Sequence, residues 1–518
     1  MRPVVIGAGI GGLVAAWQLT QAGHAPLVLE ARGYAGGLIA ADAAATEPAA
    51  DAAATEPAPE PTPLVTDIGA ESFAVRGGGV EALTRELGLA VAPPEGRSWI
   101  MGADGVARQI PNGILGIPGQ VGDEPDADMA AALTPAELER ALADLTLGPD
   151  VGADCTDLAS FITARLGVAV LEKLVTPVAG GIHSAPPREL AVDTVAPGLR
   201  AATRRHGSLL RAVAQMRGLP HPQSPIKQVV GGMHRLTAAL AAGIEAAGGQ
   251  IRYRTGATAL ERSADGWLIH TTEMGKPHGG ELAFTGPVGT VSASGVVVAC
   301  SGPTALPLLT HVTGVPAWDM PVGSPIAHMT LLVHAPVLDD APRGSGMLTA
   351  PGAPIAAKAL THMNKKWPWL DAELVRRYGP SHHLLRVSYG RKGEAYPQPT
   401  PASAVADVAR LCGLDETAGR DGDADSGSAA GENAGLRVIA HRLIRWDGTL
   451  APPTPVHRAN VAKLRDTLDA IDGLAVTGAW FAGSGIAAII PHARAAADKV
   501  ARAAADKVSR AAAEKVMP

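Results

Sequence analysis

A glycine loop set between a strand and a helix, inside the first dozen residues, constrains this chain more than any other feature. Val4-Val5-Ile6 is a short β-branched run, Gly7-Ala8-Gly9-Ile10-Gly11-Gly12 follows, and residues 13–20 continue in an apolar helical pattern. Gly7, Gly9 and Gly12 make a G-x-G-x-x-G, and the strand–loop–helix context gives that pattern its meaning. Gly7 permits the tight turn, Gly9 lets backbone approach a pyrophosphate, and Gly12 lets the helix pack close on the strand. Gly11 belongs to the same loop. The helix N-terminus then offers free N–H groups and a positive dipole end to phosphate. Ala25-Pro-Leu-Val-Leu-Glu30 reads as the second strand. Glu30 stands near the place of the acid that binds ribose hydroxyls, roughly 20 residues beyond the loop. The chain therefore opens as a dinucleotide-binding α/β domain.

Composition narrows the class. The chain has 518 residues, of which 47% are hydrophobic, so large cores are within reach. Its 44 basic and 50 acidic side chains give a net charge of −6. That balance lacks the basic footprint of a nucleic-acid binder, though it allows a local basic pocket for an acidic substrate. Cys155, Cys300 and Cys412 show no C-x-x-C spacing. They suit a reducing compartment and supply neither a disulfide frame nor a zinc site. No metal site is expected. The N-terminus lacks a signal-peptide pattern and no uncharged apolar run reaches the length of a membrane span. The expectation is a cytoplasmic protein. Peripheral contact with a membrane stays open, and nothing in the sequence fixes the oligomeric state.

Several later segments carry a resemblance. Gly36-Gly37, just past Glu30, resembles the second signature of the FAD-dependent amine oxidase superfamily, with Leu38 where a basic residue is usual. Asp67-Ile-Gly-Ala-Glu-Ser-Phe-Ala-Val-Arg76 and Gly181-Ile-His183-Ser-Ala185 resemble segments of bacterial protoporphyrinogen and coproporphyrinogen oxidases. So do Gly231-Gly232-Met233, Lys366-Trp-Pro-Trp369 and the block from Arg445-Trp446 to His457. Gly77 replaces a second basic residue of that family, and Pro453-Thr454 replace a glutamine and a tyrosine. The resemblance covers nearly the whole chain outside two insertions and the tail.

The resemblance implies a discontinuous Rossmann-like FAD-binding domain, an α+β substrate-binding domain and a helical subdomain. The FAD-binding parts are residues 1–90, 226–303 and 441–492, the helical substrate region is 91–225, and the second substrate region is 304–440. Residues 41–63 read as a disordered insertion, since 41–58 hold a nine-residue tandem duplication that is acidic and poor in core-forming side chains. Residues 421–434 read the same way. Residues 493–518 contain three copies of an Ala-rich octad and form a strong helix, with Asp498 and Arg502 as an i,i+4 pair. An eight-residue repeat drifts around a helix, so the valines make no lasting seam, and a solvated extension is expected.

By the same resemblance, Gly7, Gly9, Gly11, Gly12, Glu30, Gly36 and Gly37 hold one end of FAD. Ala257 meets the adenine through its backbone. Gly478, Gly483 and Ile486, in a second strand–glycine–helix element, reach the flavin ring and ribityl chain. Arg76, His183 and Trp446 belong to the substrate cavity, with Arg76 facing a carboxylate. The implied reaction is a six-electron oxidation of coproporphyrinogen III by oxygen in haem biosynthesis, with hydrogen peroxide formed. Protoporphyrinogen IX is the alternative substrate. An amine oxidase or carotenoid desaturase on the same scaffold is a second reading, and a non-catalytic FAD-binding haem-pathway partner a third. Contact with a haem-pathway enzyme stays open. The cofactor carries the redox step. No Ser-His-Asp triad is evident, and no general base is nominated.

Two glycine elements and an acid for one dinucleotide predict a visible property. The purified protein should be yellow, with one FAD released by acid precipitation. A colourless protein that binds NAD in calorimetry would contradict it.

Overall fold

A computed structural model describes the chain except residues 43–46, 49–63, 123, 184, 220–223, 276–281, 415–434, 450–453, 484 and 515–518. Five parallel strands form its centre, in the order Gln250–Arg252, Leu27–Leu29, Val4–Ile6, Val296–Val298, Leu474–Val476. The last four are buried along their whole length. They read as unbroken apolar runs because a parallel sheet is covered on both faces. One cover consists of the helices Ile10–Gln21, His234–Ala246 and Ile486–Glu514, joined through Leu13, Val14, Leu240 and Ile490. The other is the three-stranded meander Thr255–Ser263, Gly266–Gly275, Ala283–Ala293 with the helix Gly302–Thr313.

A second, eight-stranded sheet runs in the order Glu47–Pro48, Arg437–Thr449, Ser324–His334, His382–Tyr389, Ala359–His362, Gly346–Thr349, Ser98–Met101, Ala107–Gln109. Side chains alternate faces along each strand. Met329, Leu331, Leu360, Leu385 and Val387 pack with Val405 and Val408 of the helix Pro401–Cys412. The opposite, inner face carries His328, Thr330, Arg386 and Ser388. Arg386 donates from Nη1 to the Gly69 carbonyl at 3.1 Å and from Nη2 to the Asp67 carbonyl at 2.5 Å. The inner face is thereby fastened to the segment that follows the first glycine elements.

Helices between residues 127 and 217 enclose a third core built on Phe161, Ile162, Leu174 and Val213. Its centre is an ion pair with both side chains fully buried, Arg165 Nε to Asp144 Oδ1 at 2.6 Å. Asp144 Oδ2 also accepts from Ser208 Oγ at 2.6 Å and from the Leu210 N–H at 2.9 Å. Arg165 donates to the Gly148 and Gly207 carbonyls at 2.6 and 2.9 Å. Saturation of both charges is what makes such a burial tolerable.

Three expectations change. Ser98–Met101 and Ala107–Gln109, inside the stretch read as helical, pair at the edge of the large sheet, where Trp99 and Ile100 alternate between faces. Within the expected insertion, Ala41–Asp42 pairs with Thr66–Asp67 and Glu47–Pro48 with the strand Arg437–Thr449, while the remainder, like 421–434, lies outside the described residues. The third change is the tail. It is no separate solvated extension, since the helix that starts at Ile486 runs unbroken to Glu514. Ile486, Ile489, Ile490, Ala493, Ala496, Ala497 and Val500 recur at helical spacing and are buried in the same core as the first helix. Alanines, more than valines, make the seam. Gln18 Nε2 donates to Asp498 Oδ1 at 2.9 Å across it.

Behind the large sheet, His362 Nε2 lies 3.0 Å from His383 Nδ1, and His383 Nε2 lies 3.1 Å from Asp339 Oδ1. Burial, then the neighbouring His383 and Lys365, press the His362 pKa down to about 3. Unfolding restores an ordinary imidazole near 6.5, so between those values the unfolded chain binds the extra proton. Stability is therefore lost as pH falls from about 6.5 towards 3, by up to about 1.4 kcal/mol per pH unit for this one group. Urea unfolding at pH 7.5 and 5 should show a lower midpoint at pH 5, and equal midpoints would refute it. The seam gives a second prediction. Val500→Asp, which places an unpaired carboxylate in the core, should lose several kcal/mol. Matching melting curves for the full chain and Val500→Asp would remove the seam from the core.

Candidate functional site

The N-terminal loop and the strand ends beside it build one cradle. The Gly7 N–H donates to the Leu29 carbonyl at 2.7 Å, and a Cβ on Gly7 would stand 2.9 Å from the Ala299 carbonyl oxygen. At Gly12 a Cβ would stand 1.8 Å from the Gly7 carbonyl oxygen, so only glycine admits this packing of helix on strand. Gly9 is different, since a Cβ there would meet nothing within 4 Å. It caps the helix Ile10–Gln21 without a side-chain partner, so no side chain takes up that helix's first N–H groups.

The second glycine pair joins the same surface. Gly36 bridges Gly9, and its N–H donates to the Ala8 carbonyl at 2.8 Å. A Cβ on Gly37 would lie 3.5 Å from the Gly9 Cα. Glu30 accepts from the Ala8 N–H at 2.7 Å and from the Arg32 N–H at 2.8 Å, which holds its carboxylate beside the loop. The C-terminal block closes the far side. A Cβ on Gly11 would meet Ile489 at 3.2 Å, Thr477 at 3.4 Å and the Gly478 Cα at 3.5 Å. Gly478 precedes a short helical turn, and Gly483 ends it, before Ile486 begins the C-terminal helix. Ala257, 9% exposed, sits at a bulge of the meander. Side-chain-free backbone, a helix N-terminus and a carboxylate fit the pyrophosphate and ribose of a dinucleotide. Cys300, beside this loop, is only half-buried by area. Burial nonetheless pushes its thiol up to about 12, so it stays protonated.

The inner face of the large sheet, fastened to the segment beside the cradle, carries Trp446, while Arg76 and His183 stand on other elements. Trp446 Nε1 donates to the Ile68 carbonyl at 3.3 Å, so its polar atom serves the scaffold. His183 ends the helix Thr176–His183, which continues from a π-helical turn over Leu171–Val175. Its Nε2 is buried without a hydrogen-bond partner, and burial lowers its pKa. Arg76 is exposed, next to Gly77 and Gly78, and has no hydrogen-bond or ion-pair partner among the described residues. Among the described residues no hydrogen bond or ion pair links the three.

The sequence reading passed over Glu71, the node between cradle and sheet. Glu71 Oε1 accepts from Lys366 Nζ and from Trp367 Nε1, both at 2.8 Å. Its carbonyl accepts from Gln228 Nε2 at 2.9 Å, and Trp369 Nε1 donates to Gln228 Oε1 at 2.9 Å. Burial raises the carboxyl pKa, but Lys366 and Arg386 outweigh it and hold the group at about 2. The Lys366-Trp-Pro-Trp369 segment was the available signal, since three of its four side chains engage this node. Among the described residues no cluster of His, Cys, Asp or Glu could hold a metal ion.

Comparison with known proteins places this geometry. The chain is 26% identical over 509 residues to a coproporphyrinogen III oxidase of Mycobacterium leprae, covering 95% of this chain and 97% of that one. A coproporphyrinogen III oxidase of Propionibacterium freudenreichii is 28% identical over 213 residues, 40% of this chain and 37% of that protein. A crystal structure from Exiguobacterium, assigned provisionally as a protoporphyrinogen oxidase, superposes with a TM-score of 0.70 at 20% identity, covering 97% and 98% of the two chains. The family described as flavin containing amine oxidoreductase matches residues 10–323. With its glycine cradle and that match over more than half its length, the chain belongs to the flavin containing amine oxidoreductase family and is an FAD-dependent oxidoreductase.

Proposed function

We propose that this protein oxidises coproporphyrinogen III to coproporphyrin III, removing six electrons with oxygen as acceptor and hydrogen peroxide as by-product. The observation that carries the reading is the near end-to-end similarity to the Mycobacterium leprae coproporphyrinogen III oxidase. Bound FAD supplies a two-electron acceptor for the meso C–H bonds of the substrate. The protein's residues position and shield. Gly7, Gly9 and Gly12 admit the cofactor's pyrophosphate, and Glu30 stands where ribose hydroxyls would bind. The ionised Glu71, held by Lys366 and Trp367, fixes the segment that separates cofactor from sheet. Arg76 offers an uncommitted guanidinium to a substrate carboxylate, and a charge-assisted hydrogen bond of that kind contributes about 1.5–3 kcal/mol.

Protoporphyrinogen IX is the second reading, favoured by the structural likeness to the Exiguobacterium protein. Coproporphyrinogen has four propionates against two, so it makes more use of cationic contacts. Steady-state kinetics on both substrates decide between them, and a preference for protoporphyrinogen would overturn the first reading. Anaerobic mixing with porphyrinogen should bleach the flavin. Bleaching by spermine or phytoene instead would point to an amine oxidase or a desaturase, and no bleaching to a binding partner. Arg76→Ala should raise KM for coproporphyrinogen by roughly one to two decades with FAD content unchanged. An unchanged KM would remove Arg76 from the site.

A further inference from the structure

The inner face of the large sheet holds a row of paired residues, small in the middle and larger at the ends, which we read as a shallow trough. Leu348 pairs with Ala359, Ala359 with Ser388, Ser388 with His328, and His328 with Ile444. Adjacent strands stand about 4.8 Å apart, so Leu348 to His328 spans about 14 Å. Ala359 and Ser388 are small, and the row is low in the middle and tall at its ends. The helix Thr176–His183 closes one end, since a Cβ on its Gly181 would lie 3.1 Å from Leu348. His328 stands at the other end, half-buried, with Nδ1 3.2 Å from Ser388 Oγ.

The charge around the trough selects what enters. Next to His328 on this face lie Thr330 and, across the strand pair, Arg386, whose Nε is buried without a hydrogen-bond partner. Burial, then Arg386 and Lys358, hold the His328 pKa down to about 3 against the pull of Glu71. The imidazole is neutral at working pH, with one nitrogen a donor and the other an acceptor. The same cations that keep a proton off this ring oppose a protonated amine beside it. A neutral-centred ring system carrying N–H donors and peripheral anions suits the trough better than a cationic polyamine does.

Resting on the functional reading above, we propose that His328 is a substrate-binding residue whose Nε2 accepts from a pyrrole N–H of the reduced tetrapyrrole, while Ser388 Oγ accepts from Nδ1–H and fixes that tautomer. The saturated meso carbons of the porphyrinogen let a pyrrole tilt its N–H towards one face, whereas the two N–H groups of the flat porphyrin point into the ring centre, so this contact favours substrate over product and assists release of the oxidised ring.

The test uses the full-length flavoprotein, with coproporphyrinogen III as substrate and coproporphyrin III as inhibitor. His328→Leu should raise KM about tenfold, the loss of one hydrogen bond at the upper end of its range, with FAD content and kcat within about twofold of the parent. The inhibition constant of the porphyrin should move less than twofold, and His328→Gln, which keeps an acceptor oxygen, should recover most of the loss. Ser388→Ala should raise KM a few-fold by freeing the tautomer, and it serves alone if the leucine variant does not fold. An unchanged KM in His328→Leu, or in Ser388→Ala where that variant stands alone, overturns the assignment. So does an equal weakening of porphyrin and porphyrinogen. Parent enzyme that leaves every porphyrinogen unoxidised overturns the functional reading itself, before any variant is measured.

Discussion

Contact between the Gly7 carbonyl and the Cα of Gly12 underlies the rest of the molecule. A methyl group there would sit 1.8 Å from the oxygen. Because no methyl group exists, the first helix lies against the first strand and its N-terminus opens beside Gly9. The same close approach brings Gly11 against Thr477, Gly478 and Ile489. Two ends of the chain thus meet over one loop. The long C-terminal helix packs along Leu13 and Val14 only because glycine and alanine line the contact.

The substrate half depends on a different force, the pairing of charges that burial would otherwise penalise. Glu71, Lys366 and Arg386 tie the large sheet to the segment beside the cradle. The helical region repeats the device at Arg165 and Asp144. At Arg165 and Asp144 backbone carbonyls and the Leu210 N–H absorb the remaining hydrogen-bonding capacity, which keeps a buried ion from being a liability. Removing one partner would strand the other in low dielectric, a larger loss than the pair's net contribution.

What the sequence disclosed follows the range of the physics involved. The glycine loop, the buried strands and the meander were legible because each depends on neighbours within about a dozen residues. The helical seam at 493–500 was not, because its alanines carry no strong apolar signal and are buried by elements far away in the chain, the helix near residue 10 foremost. Ser98–Met101 was missed for a related reason, since its partner, Gly346–Thr349, lies far along the chain. Arg76 and His183 were nominated through resemblance alone. Glu71 and His328 were passed over, since a lone acid or histidine announces nothing until its neighbours are known.

The central sheet also sets a schedule for biosynthesis. Its first strand, Val4–Ile6, pairs with Val296–Val298, and the sheet's last strand is Leu474–Val476. Ribosomes add roughly 5–20 residues each second, so the opening strand waits on the order of half a minute or longer for its last sheet neighbour. During that interval the glycine loop lacks the wall formed by Thr477, Gly478 and Ile489. A nascent chain therefore lacks part of its cofactor cradle until Thr477, Gly478 and Ile489 have been made. Capture of flavin at the full cradle comes late in synthesis, and apolar strand faces must be shielded from aggregation until the helix that starts at Ile486 arrives.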